Sequence, residues 1–270
     1  MTTADNNLPP SSEVLHCHID AGVATIRLNR ANHGNALNMA LVEAFANAVN
    51  QIVNTASVRV VLLTGSGKNF CVGGDIQSFI EERDDLSGFV AAITEPLHNA
   101  LAQLEASHLP IVAALNGAVG GAGIGLALIA DFVLAAESMK LRCGYTAIGL
   151  SPDAGSSWLL ANRVGAFRAR QLLLSNSTLE AQACLNLGLV DGVYPDADLL
   201  TQAQRLVEAL RGGSAKAMSR VKHLLDHSIT QRTFKSHLDL ERKLIIDSAA
   251  EGDAQEGILA FMEKRQANFS

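Results

Sequence analysis

The chain reads as an α/β protein with buried parallel strand pairing and an all-helical C-terminal third. Short apolar runs bounded by turn residues recur at residues 58–64, Ile111–Leu115 and 133–136, as expected of strands covered on both faces. Helical periodicity fills the intervals, so strand, glycine loop and helix follow one another repeatedly, the signature of an α/β domain. From about Leu199 onward the pattern is almost wholly helical.

Taken in order, residues 1–12 are polar, contain Asp5, and lack both an apolar signal core and an arginine-rich face. They read as a disordered tail on a cytoplasmic protein. Residues 14–19 and Val23–Leu28 alternate apolar and polar side chains around Asp20-Ala21-Gly22, which predicts a β-hairpin. Met39–Val53 has apolar positions at helical spacing, with Asn38 placed to cap it. The strand at 58–64 runs into Gly65-Ser66-Gly67. Residues 153–164 and 166–174 look helical, as do Ala181–Leu187, 202–211, 214–227 and 233–264, with Gly212-Gly213 as a break. The expected organisation is a tail over 1–12, a core over 13–198 and a helical region over 199–270. That last region is too apolar to stand alone and should pack on the chain's own core or on a neighbouring subunit.

Composition narrows the function classes. The formal charge of −6 argues against a nucleic-acid surface, and no uninterrupted apolar run reaches the roughly 18 residues that span a membrane. Cys17, Cys71, Cys143 and Cys184 form no C-x-x-C pair and read as reduced, buried thiols. His16 and His18 share one strand face, but no carboxylate pattern accompanies them, so no metal site is expected.

The most informative stretch is Asn116-Gly-Ala-Val-Gly-Gly-Ala-Gly-Ile-Gly-Leu-Ala-Leu-Ile-Ala-Asp131. It follows an apolar strand and enters a helix with almost bare backbone, leaving N–H groups that a negatively charged ligand atom can approach. No lysine follows the glycines as a Walker loop requires, and the G-x-G-x-x-G register fails at Leu126 and Leu128. A second loop, Asn69-Phe-Cys-Val-Gly-Gly-Asp-Ile76, also follows a strand and opens a helix. Two loops of this kind can converge on one oxygen as an oxyanion hole, each donor stabilising a transition state by about 2.7–4 kcal/mol.

These segments, together with Ile26-Arg-Leu-Asn-Arg30, Asn35-Ala-Leu-Asn38, the 60–76 strand and loop, and Ala260-Phe-Met-Glu-Lys-Arg265, resemble the crotonase family of enoyl-CoA hydratases and isomerases over about residues 13–268. The resemblance implies a spiral of ββα turns and a C-terminal helical region used for trimerisation, often as a dimer of trimers. It implies an acyl-CoA thioester as substrate, with coenzyme A as part of that substrate and no other cofactor. Its carbonyl would be held by the N–H groups of Gly74 and Ala122, where other members more often carry glycine at the second position. Asp75, Ile76 and Gln77, with Gly123, would line the pantetheine and thioester. Phe261 and Lys264 would help hold the nucleotide end, from a neighbouring subunit.

The family's hydratases use two glutamates, and the matching positions here are Gly125 and Tyr145. Without that pair, ordinary hydration loses groups worth about 10²–10⁴-fold each. Asp153, in Pro152-Asp-Ala-Gly155, resembles the aspartate of the enoyl-CoA and ring-epoxide isomerases; an aspartate opening a helix is also an ordinary N-cap. As a single acid/base it would suffice for a 1,3-proton shift, with Tyr145 walling the acyl pocket. His98 keeps a second reading open. It and Asp153 match the base and nucleophile of 4-chlorobenzoyl-CoA dehalogenase, although that enzyme has tryptophan where Tyr145 stands. Hydration by non-standard groups and a non-catalytic acyl-CoA-binding subunit complete the alternatives.

Overall fold

The computed structural model describes residues 13–230 and 233–269; the tail expected over 1–12 lies outside them. β1 (Leu15–Asp20) and β2 (Val23–Leu28) form the expected antiparallel hairpin. α1 (Met39–Val53) has the predicted bounds, and Asn38 Oδ1 accepts the Leu41 N–H at 3.0 Å. Its face of Leu41, Val42, Phe45, Ala48, Val49 and Ile52 is buried, which supplies the stability that helical propensity alone does not.

A two-strand unit then repeats. β3 (Val60–Gly65) and β4 (Asn69–Cys71) lead to α2 (Ile76–Glu81) and α3 (Leu86–Ala106). β5 (Ile111–Leu115) and β6 (Ala118–Gly120) lead to α4 (Gly123–Leu128). β7 (Phe132–Ala136) and β8 (Lys140–Arg142) lead, through a 3-10 turn, to α5 (Ser156–Ser175). β9 (Leu179–Glu180), α6 (Ala181–Leu187) and β10 (Gly192–Tyr194) follow, then α7 (Leu199–Arg211), α8 (Ala215–Thr230), α9 (Phe234–Ala249) and α10 (Gly252–Glu263).

In each unit the first strand enters one sheet and the second enters another. The larger sheet has the order β1-β2-β3-β5-β7-β10, parallel beyond the hairpin; the smaller is β4-β6-β8-β9, parallel up to β8. This is the spiral of ββα turns that the resemblance implies. β3 and β5 are buried along their whole length, as expected of strands covered on both faces. α1 and α3 contribute to the main core on one side. On the other, Leu199, Ala203 and Val207 of α7 close over Val60, Leu62, Val112 and Leu134, so the C-terminal region begins with a helix that seals the sheet.

Two elements depart from expectation. The continuous helix expected over 233–264 is α9 and α10, broken where Glu251 adopts extended backbone (φ −87°, ψ 152°). Lys216 and Arg220 of α8 hold the Glu251 carboxylate at 2.6 and 3.3 Å, an anchoring that competes with continuing the helix. α5 starts at Ser156 rather than 153, and Gly165 (φ 76°, ψ 154°) kinks it between the two halves expected. No described helix is long and apolar enough to cross a membrane.

Candidate active site

The two glycine loops meet. A Cβ on Gly73 (φ 104°) would lie 3.0 Å from the Gly120 carbonyl oxygen and 3.2 Å from the Gly121 Cα, so their backbones touch where only glycine allows it. Asn116 holds the approach: its Oδ1 accepts the Gly65 N–H at 3.0 Å, and its Nδ2 donates to the Gly67 and Asn69 carbonyls at 2.9 and 3.1 Å. Asn35, fully buried, donates to Ser66 and Asn69 at 3.0 and 2.7 Å and accepts from the Arg30 N–H at 2.8 Å.

Both loops line one cavity of about 470 Å³. Gly74 and Ala122 lie on its wall, and among the described residues neither amide N–H has a hydrogen-bond acceptor within the fold. Ala122 stands at the start of α4 (φ −58°, ψ −22°), the end of a helix where N–H groups lack internal partners. Leu37, Val42, Val72, Phe79, Val90, Ile93, Leu97 and Leu150 make the walls largely apolar. Asp75, Ile76 and Gln77 line it as well. The Asp75 carboxylate is paired with Arg30 at 2.8 Å and caps α2 through the Gln77 N–H at 3.1 Å.

That leaves Asp153 as the one carboxylate among the lining residues with no cationic partner. It is not a helix cap: Gly155 holds the cap position of α5, and the Asp153 backbone carbonyl, not its side chain, accepts the Ser156 N–H at 2.9 Å. The side chain instead accepts a hydrogen bond from the Tyr145 hydroxyl, Oη to Oδ1 2.7 Å. Tyr145 Oη is also 2.9 Å from Ser156 Oγ, which is fully buried. Burial first, and then the Asp153 charge, push the Tyr145 phenol well above its ordinary value. Burial likewise pushes Cys143, another lining residue, up to about 11.

The other expected residues are more scattered. His98 is exposed on α3 and is not among the lining residues; its Nε2 accepts the Ala154 N–H at 2.9 Å. This bond engages the ring nitrogen that a base would use and steadies the turn beside Asp153. Gly123 is buried against β4, where a Cβ would meet the Cys71 carbonyl oxygen at 2.3 Å. Phe261, highly exposed near the end of α10, and Lys264, which terminates that helix in left-handed backbone (φ 56°), lie outside the cavity of this chain.

The Tyr145–Asp153 bond, its Ser156 extension and the Arg30–Asp75 pair were not foreseen. Tyr145 lies on a short 3-10 turn, so no helical or strand periodicity relates it to Asp153. Arg30 and Asp75 come together where the 34–37 segment pairs with the 72–75 loop, including the parallel bridge between Leu37 and Gly74. Among the described residues no group of three His, Cys, Asp or Glu side chains is placed to hold a metal ion, the His16–His18 strand included.

Comparison with known proteins identifies the family. The Enoyl-CoA hydratase/isomerase family profile matches residues 18–270. The 1,2-epoxyphenylacetyl-CoA isomerase of Escherichia coli is 32% identical over 262 residues, covering 96% of this chain and 98% of the relative. The trans-2-decenoyl-[acyl-carrier-protein] isomerase of Streptococcus mutans is 31% identical over 260 residues, with 96% and 98% covered. An enoyl-CoA hydratase from Polaromonas sp. JS666 superposes with a TM-score of 0.89 at 31% identity, over 95% of this chain and 99% of that one. The chain belongs to the enoyl-CoA hydratase/isomerase family and has the crotonase fold.

Proposed function

We propose that the protein shifts the double bond of an enoyl-CoA thioester by proton transfer through an enolate. The observation that carries this reading is Asp153, the one cavity carboxylate left without a cation, set in the same cavity as the Gly74 and Ala122 amides. The carboxylate takes a proton from the carbon α to the thioester carbonyl, and the C–H electron pair becomes the enolate. The two N–H groups stabilise the enolate oxygen, which carries more negative charge than the ground-state carbonyl. The resulting carboxylic acid returns the proton further along the chain, regenerating the carbonyl and the carboxylate, so no proton is gained or lost overall. The apolar walls suit an acyl chain or ring and exclude water, which would otherwise compete for the enolate.

Hydration needs a second group to activate water. The positions matching the hydratase glutamates hold Gly125 and Tyr145, and His98 spends its Nε2 on the Ala154 amide, which also disfavours a hydrolytic role with Asp153 as nucleophile. The decisive measurement is turnover of a 3-enoyl-CoA, followed by the absorbance of the conjugated product, with Asp153→Asn beside the parent. The expected loss is about 10²–10⁴-fold in kcat. Undiminished turnover by the variant would remove Asp153 from the mechanism, and tight binding of CoA esters with no turnover of a 2-enoyl- or 3-enoyl-CoA would favour a binding subunit.

Association into trimers belongs to the same reading. Ile245 and Ile246 of α9 and Ile258, Leu259, Phe261 and Met262 of α10 are half or more exposed, and large apolar side chains grouped on two successive helices suit an association surface. A trimer would cover it and bring Phe261 and Lys264 of one subunit toward the cavity of another. Light scattering of the purified chain tests this.

A further inference from the structure

We propose that Tyr145 is a positioning residue that ties down Oδ1 of Asp153, leaving Oδ2 as the single oxygen that carries the proton in both directions. The inference rests on the reading of Asp153 as the acid/base and adds to it how that group is held. An ionised carboxylate only accepts, so the 2.7 Å contact requires the Tyr145 hydroxyl to donate to Oδ1. The phenol then has no proton left for Ser156, and the 2.9 Å contact is donated by the Ser156 hydroxyl. Proton positions are thereby ordered from Ser156 to Tyr145 to Asp153, a buried chain in which every donor has an acceptor.

Asp153 Oδ2 has no hydrogen-bond partner among the described residues, and Asp153 lines the cavity. A proton taken from substrate therefore resides on Oδ2, because Oδ1 is already receiving one. Fixed there, the carboxylic acid cannot turn to pass its proton to water before returning it to carbon. Tyr145 itself is no competing acid, since burial and the neighbouring carboxylate hold its proton more firmly than in water. The position that matches a second catalytic carboxylate in the hydratases thus holds a group that restrains the one cavity carboxylate without a cation. One oxygen doing both transfers, without exchange, makes the shift internal to the substrate.

The test uses a 3-enoyl-CoA carrying two deuteriums on the α carbon, turned over in ordinary water; the shift removes only one of them, so the label scored by mass spectrometry is the deuterium delivered to the γ carbon. The parent should retain a substantial share of the label. Tyr145→Phe should keep KM within about threefold, lose about 10–100-fold in kcat, and drop label retention toward the solvent background. Ser156→Ala, which leaves the phenol in place, should move both readouts the same way by a smaller factor, and it carries the test if Tyr145→Phe does not fold to a normal melting transition. A parent that retains no label, or variants that retain as much as the parent, would overturn the proposal while Asp153→Asn inactivity kept the isomerase reading intact. Full activity of Asp153→Asn would instead overturn the reading beneath it.

Discussion

Gly125 is packed so closely against Ala154 that a Cβ at position 125 would lie 1.9 Å from the Ala154 carbonyl oxygen and 2.9 Å from its Cβ. The space beside Gly125, the position that the resemblance matches to a hydratase glutamate, is filled by the backbone of the turn that presents Asp153. Ala154 itself takes left-handed backbone (φ 48°), the bend by which the turn comes in against α4. Glycine at 125 and the placement of Asp153 are two sides of one arrangement, since the turn occupies the volume that a longer side chain at 125 would need.

Substitution at 125 should accordingly damage isomerisation rather than create hydration. Gly125→Ala forces the 153–155 turn outward, at a cost of about 1–3 kcal/mol in stability from overpacking. A displacement of about 1 Å at the acid/base is enough for roughly a 100-fold loss of kcat. Gly125→Glu should lose isomerase activity and gain no hydration of a 2-enoyl-CoA, because the added carboxylate displaces the other one. Ultraviolet assays of the two reactions, with urea unfolding of each variant, check this. Hydratase activity in Gly125→Glu would show that the turn yields readily.

The buried thiols predict an alkaline limit to stability. Burial pushes Cys71 up to about 12, Cys184 up to about 12 and Cys143 up to about 11, from an ordinary value of 9.0. Below pH 9 both folded and unfolded chains keep these protons and the stability is complete. Above it the unfolded chain releases them while the folded chain does not, so stability falls as the pH rises toward 12. Urea unfolding at pH 8, 9.5 and 10.5 should show a declining free energy, with a shallower decline in Cys71→Ala. Because the thiolate is the reactive form, a thiol reagent at pH 8 should modify Cys71 and Cys184, which are buried away from the cavity, only as fast as the protein unfolds. An identical pH slope in Cys71→Ala would remove Cys71 from the effect.

Strands β1, β2, β3, β5 and β7, helix α1 and the two glycine loops were readable because their signals are local, whereas β4, β6, β8, β9 and β10 are two or three residues long and too short to show a period. Ile111–Leu115 is apolar at every position and buried at every position, and Asn38 caps the helix it precedes. The break at Glu251 was not readable, because it depends on Lys216 and Arg220 reaching across from α8. Asp153 was legible as a candidate and misleading as a cap: Pro152-Asp153 before a helical pattern looks like a helix start, but Ala154 and Gly155 both take positive φ and delay α5 to Ser156. What fixes its side chain comes from Tyr145 on a different segment, a contact that follows from tertiary packing and carries no spacing rule.

The Arg30–Asp75 pair is the last element on which the site depends. Both side chains are 11% exposed, with Nη1 2.8 Å from Oδ2. Arg30 Nη1 also donates to the Ala36 carbonyl at 2.5 Å, and the Asp75 N–H donates to the Leu37 carbonyl at 2.9 Å. The pair therefore clamps the 35–38 segment against the loop that carries Gly74. Asp75→Ala leaves a buried guanidinium without its counter-charge and α2 without its cap, an expected loss of about 3–5 kcal/mol. Replacing both partners by apolar residues, Arg30→Met with Asp75→Leu, should cost less than Asp75→Ala alone, because no buried charge is stranded. Activity separates a second consequence: both variants release the Gly74 backbone, so the double variant should regain stability without regaining kcat. Urea unfolding and 3-enoyl-CoA turnover on the three proteins decide the matter, and a double variant as active as the parent would confine the pair to a structural role.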